Sequence, residues 1–337
     1  MRHRIASVFI TVALLSGCGD HGASGSKPAI RLITTRGSLL NMAVYLAKAL
    51  GYYDQEGIAV SIDEVPDASK SMQSVIGGSS DIATGGFMSV VTMNAEHRPI
   101  QAFFVLDRYP AILALVSPRA QHRITRIQDL NGATVGVSGP GSDEHMMVNF
   151  VCSKNGADLT RVSVIAVGAG MSKAMAFEKG SIDVVAATGT ALSLIQKRHP
   201  GLSSLFDLRS REGIRKYLGF DDLAYTALLA RGDWIRMHRE SVRGMARAAR
   251  RASDWARSHS ASEIRGLLPD SIRTADAAVD TEAIASTVPM LSPDGRFRPE
   301  HLRAARDILA VSNRSVSTRQ ADLSGSYTNE FVESEGR

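Results

Sequence analysis

The stretch Gly78-Ser79-Ser80-Asp81-Ile82-Ala83 recurs later in the chain as Gly180-Ser181-Ile182-Asp183-Val184-Val185. In both copies a helical pattern ends at a glycine, a turn places one aspartate, and a short apolar strand follows. The helix before each copy also matches loosely, through Lys70-Ser71-Met72 and Ser172-Lys173-Ala174-Met175. Matched turns at equivalent positions indicate one architecture that occurs twice in the chain.

Apolar strands and helical patterns alternate around each copy of this turn. Around the first copy we predict strands at 30–34, 58–65 and 81–84 and helices at 39–50 and 68–76. Around the second copy we predict strands at 133–137, 162–167 and 182–187 and helices at 142–154 and 172–179. Such alternation is typical of βαβ units and a largely parallel sheet. The sequence therefore predicts two similar α/β lobes with a ligand cleft between them.

The composition is that of a globular protein. The chain has 337 residues, which is enough for two domains of ordinary size. Of these residues, 44% are hydrophobic and 22% are charged, as is typical of globular proteins. The formal net charge is +5, and arginines concentrate between Arg231 and Arg265, where alanines separate them. Their period is that of a solvated helix face, so we do not expect a nucleic-acid partner.

The N-terminus has the features of an export signal. Arg2 and Arg4 precede an apolar stretch that ends in Leu15-Ser16-Gly17-Cys18 and is too short to span a bilayer. The pattern resembles the lipobox of bacterial lipoproteins, which implies a signal peptide over residues 1–17 and lipid on Cys18. A short signal with an incidental cysteine is the alternative. The Gly/Ser-rich residues 18–28 are typical of a flexible tether.

The second cysteine, Cys152, lies in an apolar helical stretch, and neither cysteine belongs to a metal-ligand spacing. We expect Cys152 to be a small buried hydrophobic residue. No loop gathers the histidines and carboxylates that an enzyme or a metal site needs. We therefore predict no catalytic residue, no cofactor and no metal.

The loop from Ser138 to Ser142 leads from a strand into a helix, at the end of the sheet where ligands bind in such folds. Glycines at 139 and 141 allow a close backbone approach, and Ser142 is a good N-cap. Free amides and the helix dipole favour an anionic group, and His145 is a possible donor. The alternative is a capped helix without ligand, since Asp143 and Glu144 also satisfy the dipole.

The equivalent loops carry further candidates, each with a structural alternative. Arg36 faces an anion or is solvated, Ser38 caps a helix or donates to a ligand, and Phe87 stacks on a ligand or belongs to the core. A charged residue near a crossover, such as Asp222, binds a polar ligand or stabilises the hinge. The predicted ligand-binding residues are Arg36, Ser38, Gly86, Phe87, Ser138, Gly141, Ser142, His145, Thr188, Thr190 and Asp222.

Several stretches carry a resemblance to a known family. They are Ala49-Leu50-Gly51-Tyr52-Tyr53-Asp54-Gln55-Glu56-Gly57-Ile58, Ile127-Gln128-Asp129-Leu130-Asn131-Gly132-Ala133-Thr134-Val135-Gly136-Val137, the two Gly-x-x-Asp turns, and Tyr225-Thr226-Ala227-Leu228-Leu229-Ala230-Arg231. In this order they resemble the solute-binding proteins of bacterial ABC importers for nitrate, taurine and alkanesulfonates, over most of residues 29–310.

The resemblance implies a type II periplasmic-binding fold, in which two crossover segments join two α/β lobes. We expect the crossings near Leu115-Val116-Ser117 and near Asp222-Leu223-Ala224. Lobe one is then 29–116 plus 225–311, and lobe two is 117–224. Residues 312–337 are polar and poorly patterned, so we expect a loosely ordered tail.

The resemblance also implies a function without covalent chemistry. We expect a monomeric, lipid-anchored receptor outside the cytoplasm, on a periplasmic or extracytoplasmic membrane face. It would capture a small anionic or polar solute by lobe closure and deliver it to an ABC permease with its ATPase. Two alternatives use the same fold: an enzyme of the pyrimidine or menaquinone-pathway type, and a solute sensor for a membrane signalling protein.

Overall fold

The computed structural model describes residues 27–66, 68–312 and 322–332. In these residues the strands are β1 (Ala29–Thr35), β2 (Ala59–Val65), β3 (Ile82–Gly86), β4 (Ile100–Asp107), β5 (Leu113–Val116), β6 (Thr134–Val137), β7 (Ser163–Ala166), β8 (Val184–Ala187), β9 (Ser204–Asp207) and β10 (Thr226–Arg231). The predicted signal peptide, Cys18 and most of the tether lie outside the described residues.

The α-helices of the described residues are α1 (Met42–Ala49), α2 (Tyr52–Gln55), α3 (Ala68–Ile76), α4 (Phe87–Ala95), α5 (Asp143–Lys154), α6 (Gly170–Glu178), α7 (Gly189–Arg198), α8 (Arg211–Tyr217), α9 (Gly232–Met237), α10 (Arg239–Ser258), α11 (Ala261–Leu267), α12 (Ala277–Thr287) and α13 (Pro299–Ser312). Cys152 on α5 is fully buried, as expected, and burial raises the pKa of its thiol to about 12.

Two five-stranded sheets form the framework. Lobe one is built on the sheet β2-β1-β3-β10-β4, and lobe two on the sheet β7-β6-β8-β5-β9. In each, three parallel strands come from one βαβαβ unit, and one antiparallel strand arrives from the other half of the chain. The prediction of two similar α/β lobes is confirmed.

The repeated turn has the same structure in both lobes. The Asp81 carboxylate accepts a hydrogen bond of 2.8 Å from the amide of Arg31, and the Asp183 carboxylate accepts one of 2.9 Å from the amide of Thr134. In each case the aspartate amide also donates back to the carbonyl of the same partner at 2.9 Å. Each aspartate thus joins the start of one parallel strand to the start of its neighbour.

The first crossover lies earlier in the chain than expected. We predicted it near Leu115-Val116-Ser117, but β5 pairs with β8 and β9 of lobe two, so the chain crosses at residues 108–112. The apolar sequence of β5 indicates that the strand is buried, but it does not indicate which sheet the strand joins. The second crossover lies between β9 and β10, and its end agrees with the predicted position at 222–224.

The part of the C-terminal tail that the structure describes is packed, which contradicts the expected loose order for residues 322–332. Thr328 donates from its amide to the carbonyl of Ala102 at 2.9 Å, so the segment runs along the edge strand β4. Phe331 is buried and packs edge-on against Phe103 at 6.5 Å. Apolar side chains spaced along a polar segment are enough to hold it on a sheet edge.

The lobes are in direct contact through α13. The larger apolar core is continuous from lobe one to lobe two, and it includes Ala304 and Ile308 of α13 with Met147 of α5. At the end of α13, the Ser312 hydroxyl donates to the carbonyl of Met146 at 2.7 Å. The described structure therefore has the two lobes together, with the cleft-facing loops against each other.

Candidate functional site

The loop before α5 uses its polar groups internally. The Ser142 hydroxyl accepts from the amide of His145 at 3.2 Å, so Ser142 is the N-cap as predicted. The amide of Ser138 donates to the Glu144 carboxylate at 2.8 Å, and that of Gly141 donates to Nδ1 of His145 at 3.0 Å. The amides that were expected to hold an anion are engaged with side chains of the first turn of α5.

His145 is engaged with its own loop and helix, and its role as a donor to a ligand stays a prediction. Its Nδ1 is an acceptor, its Nε2 lies 3.1 Å from the side-chain amide of Asn149, and burial lowers the pKa of its imidazole. A neutral, doubly engaged ring contributes no positive charge at the start of α5. The imidazole instead fixes the conformation of the loop at Gly141.

Asp143, the first residue of α5, reaches across to lobe one. Its Oδ1 accepts a hydrogen bond of 2.6 Å from the hydroxyl of Ser89, in the first turn of α4. Burial raises the pKa of the Asp143 carboxyl to about 6, although Ser89 and the amides of Met88 and Ser89 act in the opposite direction. Its Oδ2 is inaccessible and has no hydrogen-bond partner. This carboxylate caps a helix of the other lobe.

Gly86 makes that approach possible. A Cβ atom built on Gly86 would lie 1.8 Å from Oδ2 of Asp143, which no side chain tolerates. Gly86 is the N-cap of α4 and supplies no side-chain cap of its own, so Asp143 fills this role from lobe two. We had not predicted Asp143 or Ser89 as interface residues; the uncapped glycine before α4 was the available signal.

Phe87 belongs to the core. Its ring is fully buried and lies 4.9 Å from the ring of Phe297 and 6.2 Å from that of Tyr327. These contacts support the structural alternative given for Phe87, and its contact with a ligand stays a prediction. A residue that directly follows a strand at N1 of a helix turns inward with the helix's apolar side.

Arg36 and Ser38 lie at the end of β1. Arg36 is largely exposed, and its guanidinium lies 3.4 Å from Glu64 of the same lobe. Glu64 also accepts from the hydroxyls of Tyr45 at 2.5 Å and Ser271 at 2.6 Å, so Arg36 completes a polar cluster within lobe one. Ser38 precedes a 3-10 turn and makes no side-chain cap.

Thr188 and Thr190 flank the start of α7 in lobe two. Thr188 is the N-cap by its backbone and makes no side-chain cap, whereas Thr190 is buried. Thr190 lines a small void with Leu39 and Arg273 of lobe one, so this loop faces the other lobe as predicted from the strand ends.

Asp222 is a hinge residue. Its carboxylate lies 2.7 Å from Nε of Arg108, 3.3 Å from Nε2 of His301 and 3.7 Å from Arg298. Hydrogen bonds and charge from His301 and Arg108 outweigh burial and lower its pKa to about 2. The Arg108 contact joins the two crossover segments to each other, and the other two contacts link Asp222 to His301 of α13 and to Arg298 just before that helix. These contacts support the hinge alternative, and the role of Asp222 in ligand binding stays a prediction.

Two more buried ionisable groups stand near the lobe interface. Lys173 of α6 is almost fully buried, pairs with Glu144 and donates to the carbonyl of Ala186 at 2.9 Å. Asp107 ends β4 and is fully buried, with no hydrogen-bond partner for either carboxyl oxygen. Burial raises the pKa of Asp107 well above its usual value.

The described part of the chain contains no helix with the length and apolar character needed to cross a bilayer. Within residues 27–66, 68–312 and 322–332, no three His, Cys, Asp or Glu side chains are grouped so that they could hold a metal ion.

Several solved structures align with this protein over most of its length. A solved structure from Bordetella bronchiseptica RB50 is 28% identical, covers 91% of this chain and 96% of its own, and superposes with a TM-score of 0.82. The periplasmic aliphatic sulphonate-binding protein SsuA from Escherichia coli is 18% identical, with coverage of 88% and 91% and a TM-score of 0.69. The periplasmic nitrate-binding protein NrtA from Synechocystis PCC 6803 is 11% identical, with coverage of 90% and 87% and a TM-score of 0.67.

The fold is thus the periplasmic-binding fold of these proteins, which confirms the fold class and the resemblance predicted from the sequence. The model of the family described as "NMT1/THI5 like" matches residues 41–262, which span both lobes and both crossover segments. The chain belongs to the NMT1/THI5-like family of proteins.

Proposed function

We propose that this protein is the extracytoplasmic solute-binding component of an ABC importer. The observation that carries the proposal is the contact of Asp143 on lobe two with the first turn of α4 on lobe one. It joins the loops at the carboxyl ends of strands of both sheets, where parallel α/β sheets bind ligands. Two of the structural relatives named above are described as an aliphatic sulphonate-binding protein and a nitrate-binding protein.

The mechanism is a movement of two rigid lobes about the crossover segments. An open form admits the solute, closure brings the first turns of α4 and α5 together around it, and the permease recognises the closed shape. Because closure is driven by differential affinity for the two forms, no covalent step is involved. The solute is small and polar, since the loops that meet carry hydroxyls, amides and carboxylates.

The N-terminal sequence supports a lipid anchor as part of this proposal. Lipid on Cys18 would hold the body near the permease through the tether of residues 18–28. Expression of the full chain and a Cys18→Ser variant, followed by fractionation and mass determination, tests the anchor. Membrane-bound wild type and a released variant are expected, whereas equal release of both would overturn it.

A thermal-unfolding screen tests the solute-binding function itself. The chain from Gly19 is purified, freed of carried-over ligand, and screened against sulfonates, nitrate, carboxylates, amines and pyrimidines. A ligand at 100 times its dissociation constant adds about 2.7 kcal/mol to the free energy of unfolding. This corresponds to roughly 2–4 °C for a protein of this size. Compaction of the same sample in X-ray scattering would establish closure, and the absence of any response would reject the function.

A further inference from the structure

The centre of the lobe interface contains carboxylate oxygens without partners. Oδ2 of Asp143 is inaccessible and has no hydrogen-bond partner, and neither carboxyl oxygen of Asp107 has a partner of good geometry, although the neighbouring Thr226 hydroxyl acts to lower the pKa of Asp107. Asp107 is fully buried, so bulk solvent does not reach it. Buried polar groups in folded proteins are nearly always satisfied, which makes three orphan oxygens in one region a sign of a missing donor.

The strand register places these groups side by side. Thr226 on β10 pairs with Gly86 on β3 and with Asp107 on β4, so the three residues are neighbours across adjacent strands. Oδ2 of Asp143 occupies the position of a side chain on Gly86. The two carboxyl groups therefore approach the Thr226 position from its two sides, at the end of the sheet that faces lobe two.

Tyr225 is a buried phenol next to the same carboxyl groups. Burial raises the pKa of its phenol well above the usual value, and the charges of Asp143, Glu144 and Asp107 raise it further. One buried phenol thus feels carboxylates from β4 and from α5. The region is acidic on both sides of the lobe interface.

The positively charged side chains near Asp143 are paired with other groups. Lys173 pairs with Glu144 and with the carbonyl of Ala186, and Arg108 pairs with Asp222. The imidazole of His145 is held as an acceptor and has a lowered pKa. The described residues therefore leave Oδ2 of Asp143 without the positive group that a buried carboxylate requires.

We propose that the solute presents a protonated amine or amidine to Asp143, with Asp107 as the second carboxyl group of the same subsite. The inference rests on the proposed solute-binding function and specifies its ligand class. An N–H donor from the solute would satisfy Oδ2 while Oδ1 stays on Ser89, so binding and lobe closure stabilise each other. The first turn of α4 is not free for an anion, because Asp143 already occupies it.

Matched ligand pairs test the charge requirement on the wild-type chain without any mutation. Taurine is compared with ethanesulfonate, β-alanine with propionate, and benzamidine with benzamide, within a wider library of small amines and amidines. Calorimetry is expected to show binding of an amine or amidine at least tenfold tighter than that of its uncharged or amine-free partner. Equal or tighter binding of the amine-free partner would overturn the inference.

Two variants and one control locate the subsite. Asp143→Asn is expected to weaken the amine or amidine at least tenfold, and Asp107→Asn to weaken it by a smaller factor. Glu212→Gln removes the same charge from the exposed first turn of α8 in lobe two and should leave the affinity unchanged. Tighter binding by Asp143→Asn would show that Asp143 opposes the solute, which contradicts the inference.

The outcomes separate this inference from the function on which it rests. One outcome is that only compounds without an amine or amidine bind and cause compaction. That outcome would keep the receptor function and reject the amine subsite. Failure of every compound class would reject the receptor function and the subsite together. Circular dichroism of each variant verifies folding, and the ligand pairs on wild type decide the question if a variant is unfolded.

Discussion

Arg108 and Asp222 form an ion pair with an Nε–Oδ1 distance of 2.7 Å, and it ties the first crossover segment to the second. His301 of α13 and Arg298, which directly precedes α13, approach the same carboxylate. Three separate segments thus converge on one buried charge at the place where the lobes join. A hinge built in this way moves as one unit, because each segment is held by the same carboxylate.

Replacing Asp222 with asparagine is expected to lower the free energy of unfolding by about 2 kcal/mol at pH 7. The pKa of Asp222 is lowered to about 2 from a usual value near 3.8, and each pKa unit corresponds to about 1.4 kcal/mol. A lowered carboxyl pKa contributes stability that is present above pH 4 and is lost as the pH falls toward 2.

Urea unfolding at pH 7 and pH 3 measures this contribution. The difference between wild type and Asp222→Asn should shrink at the lower pH. Asp221→Asn is the matched control. Asp221 is exposed, and its contacts of 3.7 and 3.9 Å with two surface arginines are expected to contribute little to stability. An equal cost for both substitutions would contradict the assigned role of Asp222.

The buried pair of Lys173 and Glu144 gives a second prediction. Lys173→Met leaves a carboxylate buried without a cation, so we expect a loss of roughly 3–5 kcal/mol in unfolding free energy. The double variant Lys173→Met with Glu144→Gln should lose less than the sum of the single variants, because it removes the uncompensated charge. Chemical denaturation of wild type, the two single variants and the double variant completes a double-mutant cycle. Strictly additive losses would disprove the coupling.

Gly86→Ala is expected to prevent lobe closure while leaving lobe one folded. The backbone φ of Gly86 is −72°, which alanine adopts freely, but its Cβ would lie 1.8 Å from Oδ2 of Asp143. X-ray scattering should therefore give a larger radius of gyration than for wild type. Gly139→Ala is the control, because open space surrounds its Cβ position. A Gly86→Ala protein as compact as wild type would contradict the close approach of Asp143.

The raised pKa of Asp143 predicts a pH dependence of opposite sign to that of Asp222. The folded state holds the Asp143 proton up to about pH 6, and the unfolded state releases it near 3.8. Between these values the folded chain binds more protons, so wild type should lose stability relative to Asp143→Asn as the pH rises from 4 to 7. The expected change is on the order of 2 kcal/mol.

Subtracting the Asp143→Asn curve isolates this group from its titratable neighbours, which are Asp107, Glu144, His145 and Tyr225. Urea unfolding at half-unit pH steps provides both curves. Parallel curves across this range would show that Asp143 is not desolvated at the interface.

The two-lobed fold was predictable because it depends on local signals. The turns at Asp81 and Asp183 use short-range hydrogen bonds between neighbouring strand ends, and the alternation of strand and helix is visible in hydrophobic periodicity. The N-cap at Ser142 was predictable for the same reason, since it depends on four consecutive residues. These features need no knowledge of distant contacts.

The functional assignment of single residues was less predictable. For Phe87 and Asp222 the sequence left a ligand contact and a structural role open; in the structure Phe87 packs against Phe297, and Asp222 pairs with Arg108 of the opposite crossover. Asp143 was read as satisfying its own helix, whereas it caps α4 of the other lobe. Each partner is remote in sequence, and only folding brings it within reach.

The sequence by itself determined the repeated βαβ architecture, the relation to solute-binding proteins and the candidate loops, since these follow from periodicity, turn chemistry and local capping. Only the tertiary structure decided the sheet to which Leu113–Val116 belongs and which carboxylates meet at the lobe interface. The physical reason is that strand partners and buried charges are selected by desolvation and packing between segments far apart in the chain.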